Sequence, residues 1–516
     1  MLGGALAPVG FANTFDAPRV AFGSYTGPNP LPATMADTGD PAGGDRAESV
    51  GGDPGPVVAR RLLPWFVSGA VATVWLVGVA AAHGGSLGAK SRESLAVPTW
   101  LFLATGGGAV GASFLLASFV TDRSFVRSIH AWRRHGTVPA RRVVAGLVRA
   151  LGVAGLVAVL VVGFTGPTAA LGNAAILVVW VGWWAGFTMT TYLVGNWWPV
   201  LNPWRTLADR LPSLDRAYPD RLGAWPAVGG LLALIWLEVV SPLADDPRLL
   251  AGVVVGYTVL TLGGAVVVGP GTWFRTVDPV ARVFRYYGRL APVRYDASEH
   301  RLEWRLPGSD LTETRLVDGT DEVAFVVAIV WVTTYDGLVA TPLWAGATRP
   351  LVDAGFPPVV LYPLALVAGY LAFLGAYRLA ARYSRRTADS FRAPALLAER
   401  FAPSLLAIAA GYHLAHYLGY FLTLLPAALA VLPTPFSPPA TVPVGQLPGW
   451  FGGLNMAFVL LGHLLAIWVA HATAFDLFPG RLQAIRSQYP FVLVMVAYTM
   501  LSLWIVSQPT IQPPYI

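Results

Sequence analysis

The chain has 516 residues, 55% of them hydrophobic and 12% charged, with a net charge of +7 and a mean hydropathy of +0.57. This is the composition of a polytopic membrane protein and not of a soluble multidomain chain. The lack of cysteine excludes disulfides, thiolate metal sites, iron–sulfur clusters and cysteine nucleophiles. The basic residues are spread between apolar stretches, which argues for membrane topology and against a nucleic-acid partner.

Residues 1 to 60 are rich in Gly, Pro, Ala, Asp and Thr and show no apolar periodicity, so they are read as a disordered tail. Residues 1 to 12 lack the charged start and long apolar core of a signal peptide. Met35 is an alternative start, since the polar tract after it reads as an ordinary solvated amino terminus.

From residue 61 to 516 the chain is predicted to form an all-α transmembrane bundle. Stretches of about 20 apolar residues, enough to cross a bilayer, recur near 62 to 82, 97 to 120, 143 to 165, 174 to 194, 224 to 243 and 249 to 269. They continue near 322 to 345, 357 to 379, 402 to 426, 452 to 473 and 490 to 507. Threading about eleven spans alternately puts the arginines of 123 to 142, 205 to 221, 275 to 315, 378 to 400 and 481 to 486 on one side. The other side keeps only Lys90, Arg92, Arg248 and Arg349. This bias predicts a cytoplasmic amino terminus and an outer carboxyl terminus in the cell membrane, with the lipid bilayer as the first partner.

Two cytoplasmic connections have content of their own. NWWPVLNPWRTLADRLPSL, from Asn196, reads as an amphipathic segment lying in the interface, its tryptophans serving as anchors. A loop insertion at about 270 to 320 contains VRYDASEHRLEWRL, whose alternation around Ala297 and Ser298 predicts a small hairpin.

Ionisable residues inside the spans are the functional candidates. At a rise of about 1.5 Å per residue, His413 and His463, on adjacent antiparallel spans, both fall near the midplane. His416 lies one turn outward of His413, and Glu238 and Asp336 sit at nearly the same depth as His416. His471 falls about 12 Å further inward than His463 and is read as a structural residue at the inner interface. Together His413, His416, His463 and Asp336 offer nitrogen and oxygen ligands that suit zinc, iron, manganese or copper. Asp336 would serve as ligand or general base, and Glu238 as a proton-handling group. Haem between His413 and His463 competes, but HxxH puts two ligands closer together than one haem uses. In the bland reading each histidine bonds a carbonyl or hydroxyl on a neighbouring helix, with Thr188, Tyr412 and Tyr417 among the partners on offer. Asp336 and Glu238 have a further alternative as proton carriers, because Gly337 and Pro342 predict a helix broken near the acid, as at transporter sites.

Several stretches, GNWWPVLNPWRTLAD, IWLEVVSP, TTYDGLVATPLW, GYHLAHYLGY, GHLLAIWVAH and SQYPFVLVMVAYTMLSLWIVSQP, resemble the bacterial and archaeal integral membrane proteins labelled fenitrothion hydrolase-like. The resemblance runs from about Trp180 to Pro509 and transfers no catalytic residue. It implies hydrolysis of an organophosphate triester, a reaction in which a metal typically polarises the phosphoryl oxygen and delivers hydroxide. The sequence thus leads to a metal-dependent membrane hydrolase acting on a small apolar substrate. A proton- or metal-coupled transporter or channel is the alternative, and a haem-bearing electron-transfer subunit comes third.

Overall fold

A computed structural model describes residues 99 to 137, 141 to 296 and 299 to 509. The expected tail, the span at 62 to 82, Met35 and the hairpin tip at Ala297 and Ser298 lie outside the described residues. Helices dominate the described chain, and eight of them are long and apolar enough to cross a membrane, or nine if one sharply bent pair counts as a single span.

That pair opens the described chain: α1 (Thr99–Phe119) turns through 111° into α2 (Arg123–Ala131). Asp122 starts α2 by accepting from the amides of Ser124 and Phe125, the first orphan donors of the new helix. Strand β1 (Arg133–Thr137) follows, then α3 (Arg141–Thr165) and α4 (Ala174–Leu193). The middle of α4, Leu177–Phe187, is π-helical, an uncommon geometry often found at functional sites.

The NWW segment folds as two short helices, α5 (Trp198–Leu201) and α6 (Pro203–Ala208). Its tryptophans are not all interfacial anchors. Trp198 is buried against Trp183, Phe187 and Phe284, and Trp204 donates to Thr258 Oγ1 at 2.8 Å. Aromatic neighbours inside the bundle outcompete the interface for these rings.

Next come α7 (Trp225–Val240), α8 (Pro247–Val268) and α9 (Pro279–Tyr287). The stretch expected to span at 224 to 243 is cut to 16 helical residues in α7, because Pro226 fixes its first turn and Ser241-Pro242 ends it. At about 1.5 Å per residue this is short for a full crossing.

The expected hairpin forms. Strands β2 (Val293–Asp296) and β3 (Arg301–Arg305) pair antiparallel, and β1 adds to the other edge of β3 with Arg133 opposite Arg305. This sheet is closed by a buried ionic centre. Asp310, 3% exposed in its side chain, meets Arg289 at 3.3 Å, Arg294 at 3.1 Å, Arg133 at 3.8 Å and the equally buried Arg305. Burial pushes the Arg305 guanidinium down from its ordinary value, and the Asp310 charge pushes it back up.

The remaining helices are α10 (Thr320–Val339), α11 (Pro342–Asp353), α12 (Pro358–Thr387), α13 (Pro394–Val431), α14 (Phe451–Leu477) and α15 (Arg481–Ser507). Helix α10 is encased on nearly every side, packing against α7, α12 and α13. Asp321 fixes its start by accepting from the Ala224 amide at 2.6 Å, and Trp331 donates across to the Leu366 carbonyl of α12 at 2.7 Å. The span expected at 322 to 345 stops at Val339: Thr341 caps a new helix, with its hydroxyl accepting from the Trp344 amide at 3.3 Å, and Pro342 begins it. The break therefore falls three residues beyond Asp336.

Helices α13 and α14 pack backbone against backbone where Gly411 faces Gly462. A methyl built on Gly411 would lie 2.7 Å from the Phe458 carbonyl and 2.8 Å from the Gly462 Cα. Small residues at such crossings let helix backbones pack without a side chain between them.

Candidate functional site

A cavity of about 170 Å³ lies among α4, α7, α8, α9, α10 and α13. Each helix contributes residues at helical spacing, so that one face of each turns to the same space. From the π-helical part of α4 come Trp180, Trp183 and Trp184, from the turn after it Thr188, and from α7 Leu231, Ile235 and Glu238. Helix α10 supplies Thr333 and Asp336, and α13 supplies His413 and Tyr417. Tyr257 of α8 and Tyr287 of α9 complete the aromatic wall.

Polar groups at one side of this apolar space form a connected set. The Trp184 indole donates to the Tyr417 hydroxyl at 2.9 Å, and that hydroxyl donates to Asp336 Oδ2 at 3.2 Å. His416 brings Nε2 to 3.3 Å from the same oxygen, a salt bridge whenever the imidazole is protonated. One carboxyl oxygen thus collects a phenol and an imidazole from consecutive residues of α13.

His413 sits beside this set. Its ring stacks on Tyr417 with centroids 4.5 Å apart, and Nδ1 is 3.0 Å from the Tyr192 hydroxyl. Its buried Nε2 has no hydrogen-bond partner among the described residues. When Tyr192 donates to Nδ1, Nε2 carries the ring proton; when Nδ1 donates, Nε2 presents a lone pair. Glu238, on the shorter helix α7, likewise receives no hydrogen bond from any described residue, and it lies close enough to Asp336 for the two carboxyls to repel when both are charged.

The structure brings together Glu238, Asp336 and His413 on the cavity wall and sets His416 against Asp336. It leaves His463 apart. That residue is fully buried on α14, with Nδ1 2.8 Å from the Val459 carbonyl one turn back on its own helix, and it does not line the cavity. Depth along the chain placed it in the layer; its rotation about the α14 axis, which sequence depth does not encode, takes it out of the group. Among the described residues no three His, Asp or Glu side chains are grouped as a metal ion requires. His471 takes the structural role expected, with Nε2 2.9 Å from the Val120 carbonyl just beyond the end of α1 and its ring against Phe475.

The aromatic wall was the part the sequence concealed. WVGWW in α4 reads as an ordinary membrane span, yet three tryptophans within five residues were the available signal. Two of their indole nitrogens, on Trp180 and Trp183, are buried without partners among the described residues. Compared with protein-family models, with curated proteins and with solved structures, the chain returns no match.

Proposed function

We propose that this chain is a proton-coupled carrier of a small, largely apolar molecule, held in the cavity between α4, α7, α10 and α13. The observation that carries this reading is the pair of carboxyl groups, Glu238 and Asp336, opening from two different helices onto one apolar space beside the break after α10. Ionisable groups at such depth are costly unless they bind or transfer something. A helix interrupted beside them is a recurrent feature of transporter sites. Asp336 is the group best wired for proton exchange, since Tyr417 and His416 both meet its carboxyl. In this reading the arginine-rich connections face the cytoplasm, by their charge bias.

The test is reconstitution in liposomes under an imposed pH gradient. Gradient-driven accumulation of a small apolar solute, abolished by Asp336→Asn, is the expected result. Hydrolysis of a phosphotriester without accumulation would replace this reading by the hydrolase one. That second reading is favoured by the unpartnered Nε2 of His413, a nitrogen free to hydrogen-bond a bound substrate.

A further inference from the structure

The cavity wall is one-sided in charge: it includes two carboxyls, and among the described residues no lysine or arginine lines it. An anionic ligand would meet Glu238 and Asp336 with no compensating cation. A neutral ligand could at most donate a hydrogen bond to Glu238 and would leave the carboxylate charge uncompensated. A cation would answer both conditions.

The remaining wall suits a cation as well. Trp180, Trp183, Trp184, Tyr257, Tyr287 and Tyr417 surround the space with aromatic rings. The negative face of an aromatic ring attracts ammonium groups, most strongly for tryptophan and most strongly where water is excluded. Size narrows the class further. The cavity measures about 170 Å³, close to the about 150 Å³ of an apolar protein cavity known to hold benzene. One ring, or an aliphatic body of equal bulk, fills it. Glu238 also favours an ammonium that keeps N–H donors, because a carboxylate accepts hydrogen bonds and a quaternary nitrogen has none to give.

We propose that the ligand of this cavity is a small lipophilic amine, bound as its ammonium ion with the nitrogen on Glu238 and the apolar body among the α4 tryptophans. This rests on the reading of the cavity as a small-molecule site and adds the chemical class.

The test uses the full chain purified in detergent and calorimetric titration with three probes of nearly equal size: phenethylamine, the neutral 2-phenylethanol and the anionic 3-phenylpropionate. Phenethylamine is expected to bind about tenfold or more tighter than 2-phenylethanol, with 3-phenylpropionate weakest. Glu238→Gln should remove most of the amine's advantage and leave 2-phenylethanol binding nearly unchanged, which also shows that the variant is folded. Binding of the alcohol or the carboxylate as tight as that of the amine would overturn the proposal while leaving a carrier of another substrate class in place. Failure of all three probes to bind would overturn both. Amine binding as expected, with no movement of amine or protons in liposomes, would uphold the ligand class and remove the carrier.

Discussion

Nε2 of His416 stands 3.3 Å from Oδ2 of Asp336, an imidazole on α13 meeting a carboxyl near the end of α10. The same oxygen accepts from Tyr417 at 3.2 Å, so Asp336 is held by two neighbours that differ in kind: one a fixed donor, the other able to take a proton. Asp336→Asn keeps the volume and the acceptor for Tyr417 and removes the carboxyl that faces His416. Pumping or exchange driven by a pH gradient should fall by about tenfold or more, a loss of about 1.4 kcal/mol or more, while the melting temperature moves by only a few degrees. A variant that keeps full gradient-driven flux would show that Asp336 is a structural acid.

His413 and His463 are expected to separate in function. His413 lines the cavity; His463 is tied to the Val459 carbonyl of its own helix. His463→Gln should therefore leave ligand binding and flux within about twofold of wild type, whereas His413→Ala should abolish both. Metal analysis of the same proteins examines the constellation expected from depth. Bound metal lost in both single variants would restore His463 to the site. No dependence on His463 is the outcome the geometry favours.

The sequence made the bundle legible because each span announces itself by about 20 apolar residues, a signal that needs no partner to be read. It also showed the hairpin of β2 and β3, through alternation, and the interruption after Asp336, through Gly337 and Pro342. Depth placed Glu238, Asp336 and His413 in one layer, and they do share a cavity. What depth cannot supply is azimuth. His463, on the neighbouring helix α14, does not line the cavity, whereas the adjacent Gly462 packs against Gly411 of α13. The tryptophans of α4 were hidden for a related reason: in a wholly apolar span, the sequence does not distinguish rings facing lipid from rings facing a cavity.

That glycine contact makes a sharp expectation. A methyl on Gly462 would lie 2.6 Å from the Ala407 carbonyl and 3.0 Å from the Gly411 Cα, both backbone atoms that move only if the helices part. Gly462→Ala and Gly411→Ala should each cost about 1–3 kcal/mol and disturb the adjacent histidines. Gly229 of α7 has nothing within 4 Å of the same built atom, so Gly229→Ala should be neutral or slightly stabilising through helix propensity. Thermal melts of the three variants in one detergent give the comparison, and equal losses at all three would show that the crossing is not tight.

Asp278 gives the pH expectation. It caps α9 by accepting from the Ala281 amide at 2.6 Å and accepts from the Tyr257 hydroxyl at 2.6 Å. Burial, outweighing these bonds, raises its carboxyl above the ordinary value of 3.8. A carboxyl whose pKa is higher in the folded chain than in the unfolded one binds more protons when folded. Its contribution to stability therefore falls as pH rises through the window between the two values, by about 1.4 kcal/mol for each pH unit that separates them. Asp278→Asn can keep both partners, with its oxygen on Ala281 and its amide on Tyr257, and does not titrate. The melting temperature of the variant minus that of wild type should therefore grow from acid pH towards neutrality and then level off. A difference that shrinks over that range would contradict the raised carboxyl.

Asp310 is the residue whose loss the fold should tolerate least. Its side chain is 3% exposed and that of its partner Arg305 is 1% exposed, so removing the carboxylate leaves a guanidinium inside the protein with only the Ala291 carbonyl, 3.2 Å from Nε, as an acceptor. Breaking a buried pair from one side costs about 3–5 kcal/mol, most of it the unpaired charge. Arg294 and Arg133 are 42% and 36% exposed in their side chains, so their share is screened by water and salt and adds little. Asp310→Leu should thus melt far below wild type at any salt concentration. Adding Arg305→Met removes the stranded charge and should recover most of the loss, because apolar replacement of a whole buried pair is often neutral. The double-mutant cycle separates the two cases: strong coupling that persists in high salt identifies a desolvated pair, and coupling that salt abolishes would place the stability of the sheet in the exposed arginines instead.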